Sequence, residues 1–135
     1  MEKIRKVILS NMCLLYQGNK ILVVDRCKKD WPGISLPGGH VEDNETLIES
    51  VIREIKEETN LDIYDPQLIG TMEWDWGNNT RYIALLYKTN KFKGQINSSK
   101  EGEIFWLRKD EISSHQLSTD FDKILDIYEK SFKKN

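Results

Sequence analysis

Residues 52–60 read IREIKEETN, and three of the nine are glutamates, Glu54, Glu57 and Glu58. On a helix, carboxylates three and four residues apart are neighbours and repel one another. Near a helix C-terminus they also oppose the macrodipole. At about 100° per residue, the three share an arc of about 100° beside an apolar stripe of Ile48, Val51, Ile52 and Ile55. Desolvation there is costly unless a cation lies close by. A solvated acidic face is one account of the cluster. A hard divalent cation such as Mg2+ is the other, because it takes oxygen ligands and carboxylates supply them.

The spacing upstream separates the two accounts. From Gly39 the chain reads GHVEDNETLIESVIREIKEETNL. Five residues follow Gly39, then Glu45, then seven more, then Arg53-Glu54-Ile55-Lys56-Glu57-Glu58-Thr59-Asn60-Leu61. This closely resembles the Nudix box, G-x5-E-x7-R-E-U-x-E-E-x-G-U with U a bulky aliphatic, over residues 39–61, and eight of its nine specified positions match. Asn60 stands where the family has Gly. Asn is the next-best residue at a left-handed cap, so this departure touches helix termination and leaves the acids intact. The preceding LPGG and the later strand pattern also resemble the family, so the likeness covers nearly the whole chain.

The resemblance implies an α/β/α sandwich around a mixed sheet. It also implies hydrolysis of a nucleoside diphosphate linked to another moiety, with Mg2+, or Mn2+ in its place, held by the box. Carried over by position, Glu57 and Glu58 are the main metal ligands. Glu54 is a further ligand and accepts a proton from the attacking water, and the carbonyl of Gly38 or Gly39 adds an oxygen. Arg53 orients a glutamate by a charge-assisted hydrogen bond, and Glu45 steadies the box through Arg53. Glycines at 38 and 39 allow a tight turn beside metal and phosphate. A further acid is implied in the loop before a Trp-bearing strand. In SSKEGEIFWL the first candidate is Glu101, five residues before Trp106, and the second is Glu103. Two solvated loop acids are the alternative. A diphosphate is already anionic, so attack by water needs charge neutralisation and a nearby base.

Certain elements must hold these groups in place. VILSNMCLLYQ and ILVVDR read as strands around the turn QGNK, a hairpin over residues 6–26. Residues 45–58 carry the helical pattern, with Asn44 as N-cap and Asn60 at the exit. QLIGTMEWDW and RYIALLYKT read as strands around GNNT, and GEIFWL as another. TDFDKILDIYEKSF closes the chain as an amphipathic helix with Phe121, Ile124, Leu125, Tyr128 and Phe132 on one face. The order β-β-α-β-β-β-α places the fold in the α+β class, one domain over residues 1–135.

The short chain and TRYIALLYKT most resemble the MutT-like branch, which implies a nucleoside triphosphate substrate, 8-oxo-dGTP among them, cleaved to a monophosphate and pyrophosphate. The alternatives are ADP-ribose or another nucleotide sugar, a dinucleoside polyphosphate, a capped RNA end, or a non-catalytic nucleotide sensor. Sensors of this family typically lose box acids, and this chain keeps Glu54, Glu57 and Glu58. Trp74, Trp76, Arg81 and Asp120 are the candidate substrate-binding residues. Trp74 and Trp76 alternate on one strand face, either to stack a purine or as core. Asp120 either reads a purine edge or caps the last helix. Trp31 borders the pocket or anchors its loop, and His40 meets phosphate or solvent.

Composition narrows the partners. A net charge of -2 on 135 residues removes the usual argument for nucleic-acid or membrane binding. No run approaches the ~18 apolar residues that span a bilayer, and no cleavable leader pattern is visible. Cys13 and Cys27 form no C-x-x-C pair and read as reduced thiols. The expectation is a cytoplasmic monomer or homodimer whose partner is a small-molecule nucleotide, with no stable nucleic-acid partner.

Overall fold

The computed structural model describes residues 2–28, 31–98 and 102–133. Nine strands and two helices follow in order: β1 (Lys6–Gln17), β2 (Lys20–Lys28), β3 (Trp31–Ser35), β4 (Gly38–His40), α1 (Leu47–Thr59), β5 (Asp62–Tyr64), β6 (Gln67–Gly77), β7 (Thr80–Thr89), β8 (Lys91–Lys93), β9 (Glu103–Arg108) and α2 (Phe121–Phe132). A 3-10 turn, Lys109–Ser114, links β9 to the segment before α2.

β1 lies at the centre. It runs parallel to β7 from Lys6↔Thr80 to Leu15↔Thr89, and antiparallel to β4 through Ser10↔His40, Asn11↔Gly39 and Met12↔Gly38. β6 is antiparallel to β7 beyond it. The predicted β1–β2 hairpin forms, with Gly18 at φ 60 in its turn, but only Tyr16↔Ile21 and Gln17↔Lys20 pair. The strands then part, and β2 pairs antiparallel with β3 on one edge and β9 on the other. That separation opens room for the loop carrying β4. The β6–β7 turn places Asn78 and Asn79 at φ 53 and 57, the left-handed values a two-residue hairpin requires. Four short strands, β3, β4, β5 and β8, are additional to the strand order expected from sequence, because three to five residues carry little alternation.

Two apolar clusters lie on opposite sides of the sheet. Cys13, Leu15, Leu22, Val24, Leu85 and Tyr87 pack against Val51 and Ile55 of α1. Leu14, Ile21, Val23, Ala84 and Leu86 pack against Phe121, Ile124 and Tyr128 of α2. The fold is therefore a mixed sheet between helices. In β1, β2, β7 and β9 the period-two alternation feeds both clusters. Two sequence expectations about α1 are corrected here. Ile48 does not join the buried arc of α1; it is 43% exposed, since it lies in the first turn, beyond the sheet cover. In α2, Phe132 at the last turn is 36% exposed and packs edge-on against Tyr16, ring centroids 4.9 Å apart.

The N-cap of α1 is Thr46 rather than Asn44. Thr46 Oγ1 accepts from the Glu49 N–H at 3.1 Å, and the Glu49 carboxylate accepts from the Thr46 N–H at 2.8 Å. This reciprocal capping box satisfies two orphan donors, so it outcompetes a cap two residues earlier. Asn44 instead takes φ 67 in the turn leading to it. Asn60 ends the helix at φ 73 as expected, with its N–H on the Lys56 carbonyl at 2.9 Å and its amide donating to the Gln95 carbonyl at 3.0 Å.

Candidate active site

Arg53 organises the box. Its Nε and Nη2 donate to both oxygens of Glu45 at 2.9 and 2.8 Å, a bidentate fork. Nη2 also donates to the His40 carbonyl at 2.9 Å. Nη1 donates to Glu54 at 2.8 Å and to Glu57 at 3.2 Å. One guanidinium thus joins the turn before the helix, strand β4 and two of the three acids. The hydrogen bonds from Arg53 hold the Glu45 carboxyl down at about 2, with the Glu42 N–H adding to the effect. The same bonds, Glu45 first, push Arg53 further above its already high value.

β4 is seated against the helix by Asn11, a buried amide in the middle of β1. Its Oδ1 accepts from the Gly39 N–H at 3.2 Å and its Nδ2 donates to Ser50 Oγ at 2.9 Å. Ser50 closes on the Leu47 carbonyl at 2.7 Å. Gly38 and Gly39 have separate reasons to lack side chains. A Cβ at Gly38 would collide with the backbone of Asn11 and Met12, and one at Gly39 with the carboxylate of Glu54. Glu54 therefore lies directly on the β4 backbone.

Glu57 is 60% exposed, whereas the side chain of Glu58 is 3% exposed and accepts from Arg26 Nη2 at 3.3 Å. Arg53 and Arg26 thus serve as counter-charges to the acids in this structure, and among the described residues no three acidic, His or Cys groups form a ready-made metal cage. The donor set still suits a hard cation. All donors are oxygens, two of them lie four residues apart on one helix, and the Glu54 carboxylate occupies the space a side chain at 39 would fill. Glu54, Glu57 and Glu58, with backbone oxygens of Gly38 and Gly39, are the groups that would hold it.

The remaining candidates are distributed as follows. Trp74 and Trp76 project from one face of β6 and both meet Tyr82 of β7, at ring-centroid distances of 5.7 and 4.7 Å. Tyr82 also meets His40, ring centroids 6.0 Å apart and Oη to Nε2 3.3 Å. Asp120 does not cap α2 with its side chain. Its backbone is left-handed, φ 63, which turns the carboxylate onto the Trp74 indole N–H at 2.7 Å. That bond, with help from Lys123, holds the Asp120 carboxyl below its ordinary range. Arg81 pairs with Glu73 at 3.4 Å. It lines a groove of about 1120 Å3 with Val7, Trp74, Asp75 and Ile83, and none of the box acids borders that groove.

Glu103 opens β9 opposite Asp25 and is exposed. Further along the strand, Phe105 and Leu107 join the α2-side cluster, while Ile104 and Trp106 face the α1 side. Glu101 lies outside the described residues, as do the side chains of Trp31 and Cys27. Cys13 is a free thiol raised by burial and buried in the α1-side cluster. Asn11, Arg26, Ser35 and Tyr82 were not among the sequence candidates. For Asn11 a signal existed: a Ser-Asn pair inside an otherwise apolar strand.

Comparison with known proteins gives the family to which this chain belongs. Residues 8–127 match the NUDIX domain, and the chain belongs to the Nudix family. It is 32% identical over 120 residues to an ADP-ribose pyrophosphatase of Methanocaldococcus jannaschii, covering 85% of this chain and 69% of that one. It is 28% identical over 123 residues to the uncharacterized Nudix hydrolase YvcI of Bacillus subtilis, covering 87% and 77%. In structure it resembles the MutT NUDIX hydrolase from Burkholderia pseudomallei, with TM-score 0.78 and 20% identity over 90% of this chain and 98% of that one. No helix among the described residues is long and apolar enough to cross a membrane.

Proposed function

We propose that this chain is a Mg2+-dependent Nudix pyrophosphohydrolase that cleaves a nucleoside triphosphate to a monophosphate and pyrophosphate, consuming one water. The observation that carries the reading is the continuity through β4. Gly39 lies against the Glu54 carboxylate, and the next residue, His40, meets Tyr82, which meets both Trp74 and Trp76. A three-residue strand thereby lies between the acids on its α1 side and an aromatic wall on its α2 side, and a ligand with phosphates at one end and a flat base at the other would reach both around that strand.

Glu54, Glu57 and Glu58 would hold a Mg2+ or Mn2+ ion, which would supply neutralisation of phosphate charge and activation of water. Glu54, fixed between Arg53 and the Gly39 backbone, receives the proton of the attacking water. Arg53 keeps Glu54 and Glu57 oriented throughout. Trp74, steadied by Asp120, stacks the base.

A second reading is hydrolysis of ADP-ribose, favoured by the identity to the archaeal ADP-ribose pyrophosphatase. Both ligands carry a diphosphate and a purine, so the box chemistry is common to them. A panel of normal and oxidised nucleoside triphosphates, ADP-ribose, nucleotide sugars and dinucleoside polyphosphates, assayed with Mg2+ and product identification, separates them. The triphosphate reading expects a monophosphate and pyrophosphate as the fastest-formed products. Preference for ADP-ribose over every triphosphate overturns that choice, and nucleotide binding without turnover overturns the enzyme reading.

A further inference from the structure

Glu58 is the most enclosed of the three box acids, with 3% of its side chain exposed against 18% for Glu54 and 60% for Glu57. Water has little access to a carboxylate so enclosed, and protein donors set its direction. Arg26, on β2, donates to it from Nη2 at 3.3 Å. The Arg26 side chain is itself only 16% exposed. Its Nε donates to Ser35 Oγ at 3.0 Å. Ser35 belongs to the neighbouring strand β3, where Val24 pairs with Ser35 and Arg26 with Gly33. The guanidinium is thus bonded at one corner to the sheet and at another to the helix. Neither Arg26 nor Ser35 belongs to the Nudix box.

We propose that Arg26, anchored by Ser35, is a positioning residue that fixes the Glu58 carboxylate and so sets the affinity of the box for its divalent cation. The inference rests on Glu58 being a ligand to that ion, as in the function proposed above. Two effects of the guanidinium oppose each other. Its positive charge repels a cation, so on charge alone its removal would tighten ion binding. Its planar fork holds Ser35 and Glu58 at one fixed geometry, which an ammonium cannot reproduce. If orientation dominates, removal or distortion of the fork weakens ion binding.

The test measures Mn2+ binding to the metal-free chain without nucleotide, by the electron paramagnetic resonance signal of free Mn2+. Wild type, Ser35→Ala, Arg26→Lys and Arg26→Ala are compared, with Glu58→Gln as control and thermal melts to verify folding. Ser35→Ala is expected to weaken Mn2+ binding severalfold and Arg26→Lys about tenfold, the latter at the lower end of the loss found when partners of metal ligands are removed. The Mg2+ concentration for half-maximal rate rises in the same order. Arg26→Ala is expected to weaken binding at least as much as Arg26→Lys. Should that variant fail to fold, Ser35→Ala and Arg26→Lys still decide the matter. Unchanged or tighter Mn2+ binding in both overturns the positioning role and leaves Glu58 as a ligand. A wild-type chain that binds no Mn2+ overturns the metal site and the positioning role together.

Discussion

Arg53 bonds Glu45, Glu54, Glu57 and the His40 carbonyl at once. Each bond uses a donor that the planar guanidinium presents at a fixed angle, so lysine could not replace it. Glu45 shows the consequence in its acidity. Its carboxyl is ordinarily near 4.5 and falls to about 2 in the fold. A depressed carboxyl contributes stability that is complete above its unfolded value and is lost as pH falls through its folded value. Glu45→Gln should therefore be less stable than wild type at neutral pH, with the deficit shrinking between about pH 4.5 and about pH 2. Chemical denaturation across that window checks it, and a constant deficit through it would refute the role given to the pair. Gly39→Ala bears on the reacting groups more directly. Its Cβ would force the Glu54 carboxylate aside, and a displacement of about 1 Å is enough to cost ~100-fold in rate. Wild-type kcat/KM in this variant would show that Glu54 need not rest on the β4 backbone.

At the scale of elements, α1 begins at a pattern visible in the chain, Thr46-Leu47-Ile48-Glu49, which is a capping box. Asn44 is equally suited by residue type, and only the reciprocal bond with Glu49 decides between them. Thr46→Ala should lower stability by about 1 kcal/mol, measured as a shift in urea midpoint, and no shift would deny the cap its energetic role. The helix, its acids and its exit at Asn60 were legible in the sequence because they depend on local spacing. So were the turns at Gly18 and at Asn78-Asn79. Contacts between distant segments were not. Arg26 reaches Glu58 across 32 residues and Trp74 reaches Asp120 across 46. No periodicity records such pairings. Asp120 illustrates the point, since by residue type it reads as a helix cap, while its left-handed backbone turns it to the indole.

For the whole molecule, the sheet is the common support. Its α1 side carries the acids and its α2 side the Trp74–Tyr82–Trp76 wall, and on β4 the adjacent residues Gly39 and His40 meet one each. A nucleotide spanning both would depend on each separately. Trp74→Ala should raise KM for a nucleotide more than it lowers kcat, because it removes binding remote from the reacting phosphorus. Equal losses in kcat and kcat/KM would place Trp74 in the transition-state machinery instead. The box acids should behave in the opposite way. The decisive comparison is Mg2+-dependent release of pyrophosphate from a nucleoside triphosphate by wild type and by Glu58→Gln, each verified as folded by circular dichroism. A loss of several orders of magnitude in kcat for Glu58→Gln, with wild type active only when Mg2+ or Mn2+ is supplied, is the expected result. Near-normal turnover by folded Glu58→Gln would contradict the assignment of the box acids to metal-assisted hydrolysis.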